Sequence, residues 1–444
     1  MLRLGIFKAI TKPVAGVLAF FSGAGAAAWT FPSVLVSAML IAWAAEAAQF
    51  LISQGLALAL LAWLQTLPEF AVEAVIAWQA GQTAADPTIA PALKAHATAL
   101  MSANLTGSLR LLVGLGWPMI YVTAAMFHRR QTKRRLKEIT LEDEHSVEIV
   151  FLLAAIAYFF IIWLKGTLSW VDTILLSLIY CVYLYFLKKI PPQEAEKIED
   201  MDRIPRMILR QPRRVRNALI TGLFVGGGLI LYVAAEPFLE SLKSLAVGLG
   251  ISTFVFVQWV APFLSEFPEK VSAFNWARRV SSAPMALMNM VSSNINQWTM
   301  LAAMLPITYA VALGHAATID FDPHQELEIL MTIGQSLLGA LLLANMRFHW
   351  WEAALLFTLW AVQFVLSGFE KPIDPGMPFN SFAAHVAGWI SVGVEQVEAF
   401  AHHGKELITA SYFIWAGAKI AVAIKRRTMF EAFVVFPRLM REHW

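Results

Sequence analysis

One cysteine, Cys181, stands among 444 residues. That excludes an intramolecular disulfide framework and any cluster held by several thiolates. Charge is scarce too. Asp, Glu, Lys and Arg make up 15% of the chain, against about 25% in ordinary soluble domains. A net charge of +3 is too small for an electrostatic grip on nucleic acid. The chain has no Gly-rich phosphate loop, no nucleophile set beside a base and an orienting acid, and no ligand set for a redox cofactor. Catalysis and covalent cofactors therefore find no support.

What the chain has is apolar length. Hydrophobic residues reach 58%, with 16 Trp and a mean hydropathy of +0.61. Apolar runs lie at 14–31, 33–52, 56–80, 96–127, 147–164 and 170–187. They resume at 218–241, 249–280, 284–313, 326–346, 350–368 and 406–424. Runs near 20 residues are long enough to span a bilayer as helices. The first reads as a retained helix rather than a cleaved secretory signal. Between the two sets lies a Pro-containing stretch rich in both charges, 188–217, which reads as a water-exposed linker.

Charge placement tests this count. When the runs alternate, the basic segments 128–137, 188–217, 276–279, 346–350 and 424–427 fall on one side. The acid-containing segments 83–87, 318–323 and 371–375 fall on the other. Positive loops stay inside, so the first set is expected in the cytoplasm. Arg3, Lys8 and Lys12 join it only if 14–31 crosses. The expected location is a plasma membrane, the inner membrane of a bacterium, with N-terminus and linker cytoplasmic. Segment 381–402, with Trp389 and Phe400, is amphipathic and is expected to lie on the outer membrane face.

The linker leaves two groups of about five helices that begin on opposite sides, which is the pattern of an inverted repeat. The expected fold is an all-α integral membrane protein: a five-plus-five inverted-repeat transmembrane helix bundle with additional N- and C-terminal helices. Its expected divisions are an extra helix at 1–31, repeats at 32–187 and 218–369, the linker at 188–217, and an extension at 370–444.

Each group repeats the same motifs. Its second helix carries a Pro-Glu, in "TLPE" (66–69) and "EFPE" (266–269). Proline removes a backbone donor and disfavours helix just before it. Lipid cannot satisfy the freed backbone groups, so such a break must be buried in protein or line a cavity. A mid-membrane carboxylate there is a natural cation ligand. The third helix of each group carries Asn and Ser four apart: Asn104 and Ser108, then Asn289 and Ser293. That spacing places amide and hydroxyl on one face. Gly107 and Ser292, lying between them, allow another helix to come close.

These segments resemble the calcium/cation antiporter superfamily, and most closely its sodium/calcium exchanger branch. "LQTLPEFAVE" and "SANLTGS" are similar to the family's first repeat, "LSEFPEKVSA" and "MNMVSSN" to its second. Each preceding helix also carries an acid, Glu46 and Glu236, as family members often do. The resemblance covers roughly 33–368. It implies a diamond of four motif helices around mid-membrane cation sites. Glu69 and Glu269 would be the principal carboxylates. Thr66, Glu266, Asn104, Ser108, Asn289 and Ser293 would supply further oxygens. Oxygen-only ligation with two carboxylates suits a hard cation such as Ca²⁺. The implied activity is antiport of Ca²⁺ or a related cation against Na⁺ or H⁺, with inorganic cations and membrane lipid as partners. The alternative is a non-transporting membrane partner or sensor on the same fold.

Departures from the family pattern bear on that choice. Glu266 and Phe267 replace Ser and Leu, and Lys270 follows Glu269 directly. Ala103 and Met288 stand where the family has glycine, and Arg110 follows the first Asn motif. Glu266 and Lys270, four apart, are placed to pair. Arg110 lies about 240° around the helix from Asn104, and Glu46 or Glu236 is its expected partner. The loop residues His315, Asp320, Asp322 and His324 form at most a weak metal site in a solvated loop.

Overall fold

A computed structural model describes residues 22–48, 66–189, 201, 203–372, 374, 380–426 and 429–443. Among them the chain is helical almost throughout, and eight helices are long and apolar enough to cross a membrane. The first repeat comprises α1 (Ala27–Ala48), α2 (Leu67–Ala85), α3 (Pro91–Leu111), α4 (Trp117–Thr132), α5 (Ser146–Lys165) and α6 (Trp170–Lys189). A short α7 (Arg203–Leu209) precedes the second repeat. That repeat comprises α8 (Arg213–Leu249), α9 (Thr253–Ser265), α10 (Phe267–Arg278), α11 (Ala283–Asn296), α12 (Ala302–Leu313), α13 (Pro323–Leu343) and α14 (Trp350–Ser367). The extension adds α15 (Ser381–Ile390), α16 (Val394–Lys425) and α17 (Glu431–His443).

The five-plus-five correspondence appears in local detail. The α3–α4 rod is joined by a π-helical turn at Leu112–Gly116, and the α11–α12 rod by one at Gln297–Leu301. Each turn begins eight residues past the motif asparagine, Asn104 or Asn289. Two small antiparallel ribbons, the only strands among the described residues, obey the same relation. β1 (Glu138–Thr140) before α5 pairs with β4 (Arg347–His349) before α14. β2 (Thr167–Leu168) after α5 pairs with β3 (Ile319–Asp320) before α13. Exchanging the repeats turns one ribbon into the other at the opposite end of the bundle, as an inverted repeat requires.

The ends sort the loops as the charge pattern anticipates. At one end Arg278 lies over the Phe127 ring, and Arg438 reaches Asp143 at 2.5 Å. At the other, Lys94 donates to the Ala84 carbonyl, and the Phe321 amide to that of Gly166. His96 and Asp374 meet there at 3.6 Å.

Several boundaries differ from expectation. Helix continues from a 3₁₀ turn at Gly23 to Ala48, so the runs 14–31 and 33–52 are not divided at Pro32. Neighbouring helices make a proline tolerable inside a membrane helix. α8 packs alongside this stretch, with the Thr30 and Ser241 hydroxyls 3.1 Å apart and the Phe31 and Phe238 rings at 5.3 Å. The rest of the first run, 14–21, lies outside the described residues. The run 249–280 is divided by a turn at Gly250, where φ is +65°, and again at Glu266. The last span begins at Val394 rather than 406. The amphipathic segment therefore splits: 381–390 is a separate short helix, and 394–402 is the first part of α16.

Candidate functional site

Both Pro-Glu dipeptides stand at helix starts, and the second divides its helix where the proline chemistry requires; the residues just before Thr66 lie outside the described ones. Thr66 is the turn residue before α2, with Pro68 in its first turn. Glu266 ends α9 and starts α10, with a proline again in the first turn. At each break the carboxylate after the proline occupies a helix N-terminus, where unpaired amides favour negative charge. Glu69 and Glu269 are both buried.

The breaks are tied together through the opposite repeat. Gln297 Nε2 donates to Glu69 Oε2 at 2.7 Å and to Glu266 Oε1 at 2.9 Å. Asn296 Nδ2 donates to Thr66 Oγ1 at 2.6 Å. One π-helical junction thus holds both discontinuities. Lys270 Nζ donates to Glu266 Oε2 at 2.5 Å, the pairing expected from their spacing. The asparagine face of α3 points the same way, with Asn104 Nδ2 donating to Glu73 Oε2. Ser108 lies beside Glu69, and Ser293 beside Glu269. Asn289 is buried on the same face of α11 as Ser293. All eight residues singled out from sequence are buried and sit on the motif helices or their breaks.

Among the described residues, buried oxygens without a hydrogen-bond partner gather here: Glu69 Oε1, Asn104 Oδ1, Asn296 Oδ1 and Gln297 Oε1, while the two oxygens of Glu269 have at most the neighbouring Ser293 hydroxyl. Leaving one buried polar atom unmade costs about 1–3 kcal/mol, so such a concentration is expensive. The unpaired atoms are all oxygens, the donor type hard cations take.

Two functional candidates escaped the sequence reading. Glu73, four residues after Glu69, shares its face and receives Asn104. Gln297 extends the Asn289, Ser293 series by one more step of four. Both were legible as continuations of the spacing already used.

Close helix contact frames the site. A Cβ on Gly107 would lie 1.7 Å from the Gln258 carbonyl oxygen of α9, and one on Gly81 would lie 2.5 Å from that of Tyr309. Ser292, the other small residue of the pattern, holds the Tyr183 hydroxyl at 3.0 Å.

Arg110 is the main correction. It pairs with neither Glu46 nor Glu236. Its guanidinium donates to Glu328 on α13 and to Thr106, and lies 5.1 Å from the Trp259 ring centre. Glu236 is exposed on α8 and is no pocket residue. The helical angle did hold: Arg110 and Asn104 have separate partners. Glu328 also accepts from Gln258 Nε2 at 2.7 Å and from Lys405 Nζ at 2.6 Å. Lys405 donates in turn to Glu370, which lies 3.3 Å from His324. His324, Glu328 and Glu370 are the one metal-like grouping among the described residues. Arg110 and Lys405 already match its two carboxylates. Of the loop residues considered above, only His324 joins it; Asp322 instead caps α13 by accepting from the Gln325 amide at 2.9 Å.

Comparison with known proteins agrees with this geometry. The sequence family described as "Sodium/calcium exchanger protein" matches residues 21–189 and 219–369. The chain belongs to that family. A solved structure titled as the H⁺/Ca²⁺ exchanger CAX is 29% identical, with a TM-score of 0.73, covering 96% of this chain and 95% of that one. Native YfkE is 17% identical with a TM-score of 0.56, covering 80% and 95%. The sodium-calcium exchanger NCX_Mj, soaked with Na⁺ and Sr²⁺, is 19% identical with a TM-score of 0.50, covering 76% and 95%. The last two likenesses concern the fold alone. Comparison with curated sequences gave no match. This family member is an integral membrane cation antiporter.

Proposed function

We propose that the chain exchanges Ca²⁺ for H⁺ by alternating access, with Glu69 and Glu269 as the carboxylates that hold either ion. The observation that carries this reading is the set of unpaired buried oxygens around the two breaks. A carboxyl group in a dry cavity is satisfied by a bound cation or by a proton, so one site serves both ions in turn. Thr66, Asn104, Ser108, Asn289 and Ser293 supply neutral oxygens on the same faces. Glu266 differs in role. Lys270 and Gln297 already neutralise and orient it, so it positions Glu69 through the shared amide. The likeness to the H⁺/Ca²⁺ exchanger CAX favours protons over sodium as the counter-ion.

On this reading residues 23–189 and 213–369 are the two inverted repeats, and 370–444 is an extension packed on both, α16 against α13 and α14 of the second and α17 against α5 of the first. The end carrying 128–137, 276–279 and 346–350 faces the cytoplasm, by the positive-inside rule. In a bacterium that membrane is the inner one.

Flux in proteoliposomes tests the reading. Ca²⁺ uptake is expected with an outward proton gradient and no sodium, and E69Q and E269Q are each expected to lower it by about a hundredfold or more, since each removes a charged ligand at nearly constant shape. Uptake that needs a sodium gradient and ignores pH would replace H⁺ by Na⁺. No flux of any cation in folded protein would leave the non-transporting reading.

A further inference from the structure

At the basic end of the bundle, far from the paired breaks, an open cavity of about 440 Å³ is lined by arginines from separate elements. Arg203 and Arg206 come from α7. Arg278 ends α10, and Arg279 follows it. Phe127 and Met201 supply the apolar wall. Among the described residues, none of Arg203, Arg206 and Arg278 pairs with a carboxylate. Arg206 Nη2 donates to the Met201 carbonyl at 2.5 Å, while its Nε is buried with no partner. Arg278 lies over the Phe127 and Phe274 rings, its Cζ 5.2 and 5.9 Å from their centres. A guanidinium held over a ring face keeps N–H donors for another partner. Sidedness calls for basic residues at this end, but not for several arginines converging on one cavity.

We infer that this cavity is a binding site for a phosphate-bearing anion, held by Arg203, Arg206 and Arg278. The guanidinium fork matches phosphate oxygens two at a time, and the Phe127 wall accommodates an apolar neighbour of the phosphate. The chemistry fits the headgroup of an acidic phospholipid at the membrane surface and equally a soluble phosphate compound. The site has a direct route to transport. α10 carries Glu269 in its first turn and Arg278 in its last, so an anion shared with α7 tethers the far end of the helix that opens at the break.

The test uses the full chain, purified in neutral detergent and placed in nanodiscs. One arm compares discs of phosphatidylcholine alone with discs containing phosphatidylglycerol, reading lipid retained by mass spectrometry of the intact complex. The other adds inorganic phosphate to the phosphatidylcholine discs and reads the melting midpoint. Wild type is expected to retain phosphatidylglycerol about tenfold better than R203Q/R206Q/R278Q. R134Q, which changes an exposed arginine in the basic 128–137 segment, is expected to match wild type. Stabilisation by inorganic phosphate in wild type but not in the triple variant would assign the site to soluble phosphate and still support it. Single substitutions, each expected to lose part of the retention, replace the triple variant if it does not fold. Equal behaviour of wild type and arginine variants toward both probes overturns the inference.

Discussion

Lys270 brings a positive charge to within one residue of a carboxylate proposed to bind cations, and its partner decides what that charge does. Its ammonium is spent on Glu266, a second unusual acid at the same break. The two departures compensate, which leaves Glu69 and Glu269 for the proposed ion. Both members of the pair are buried. Removing one partner of a buried pair costs about 3–5 kcal/mol, whereas replacing both by neutral groups is often close to neutral. K270L is therefore expected to melt well below wild type, and E266Q/K270L to regain much of the loss. In K270L the stranded Glu266 becomes a further acid at the break, so flux is expected to change its dependence on pH or sodium. Melting and flux measured across pH and sodium for wild type and both variants check this. If K270L melts and transports like the double variant, the pair is not coupled as described.

At the scale of the element, helix approach depends on what the chain omits. Gly107 lets α3 touch the backbone of α9 at Gln258, the helix that ends in the second break. A methyl group there would sit 1.7 Å from a carbonyl oxygen, which no rotamer change relieves. G107A is expected to destabilise by about 1–3 kcal/mol as the helices are forced apart, and to weaken Ca²⁺ affinity, because Gln258, Thr106 and Glu328 share one network at that contact. Melting of G107A beside G222A, whose added methyl meets nothing within 4 Å, separates packing from loss of glycine alone. This contact was legible, as was the break at Glu266, since spacing of four and a proline each act locally. Gln297 and Glu73 were legible on the same grounds and were passed over. The partner of Arg110 was not. Glu328 stands 218 positions away in sequence, and only the packing of α3 against α13 brings the two together. The continuous helix through Pro32 was hidden too, since a proline reads as a break in sequence whatever packs beside it. The π-helical junctions have no compositional mark, yet one of them carries the amide that joins the two breaks.

Over the whole molecule, the C-terminal extension is fastened to the transport core by charge. Lys405 of α16 is buried and reaches Glu328 of α13 and Glu370 of the connection after α14. Glu328 continues to Arg110 of α3, so three membrane helices and one connection share a single chain of ion pairs. Burial pushes the Glu370 carboxyl up, but Lys405 and then His324 and His402 pull it down, and it ends well below the usual carboxylate range. A carboxyl lowered on folding adds stability that is present above its unfolded value, about 4.3. That stability is lost only as pH falls through the lower folded value. The fastening therefore holds throughout the neutral range. K405M is expected to release it: Glu328 keeps Arg110 and Gln258, while Glu370 keeps only His324 at 3.3 Å and His402 at 3.9 Å. Cleavage by a protease within 368–380 should then be about tenfold or more faster than in wild type near pH 8, the loss of one buried ionic partner being large on this scale. A variant cleaved no faster than wild type would mean that α16 is held by apolar packing and that the ion pairs add nothing to it.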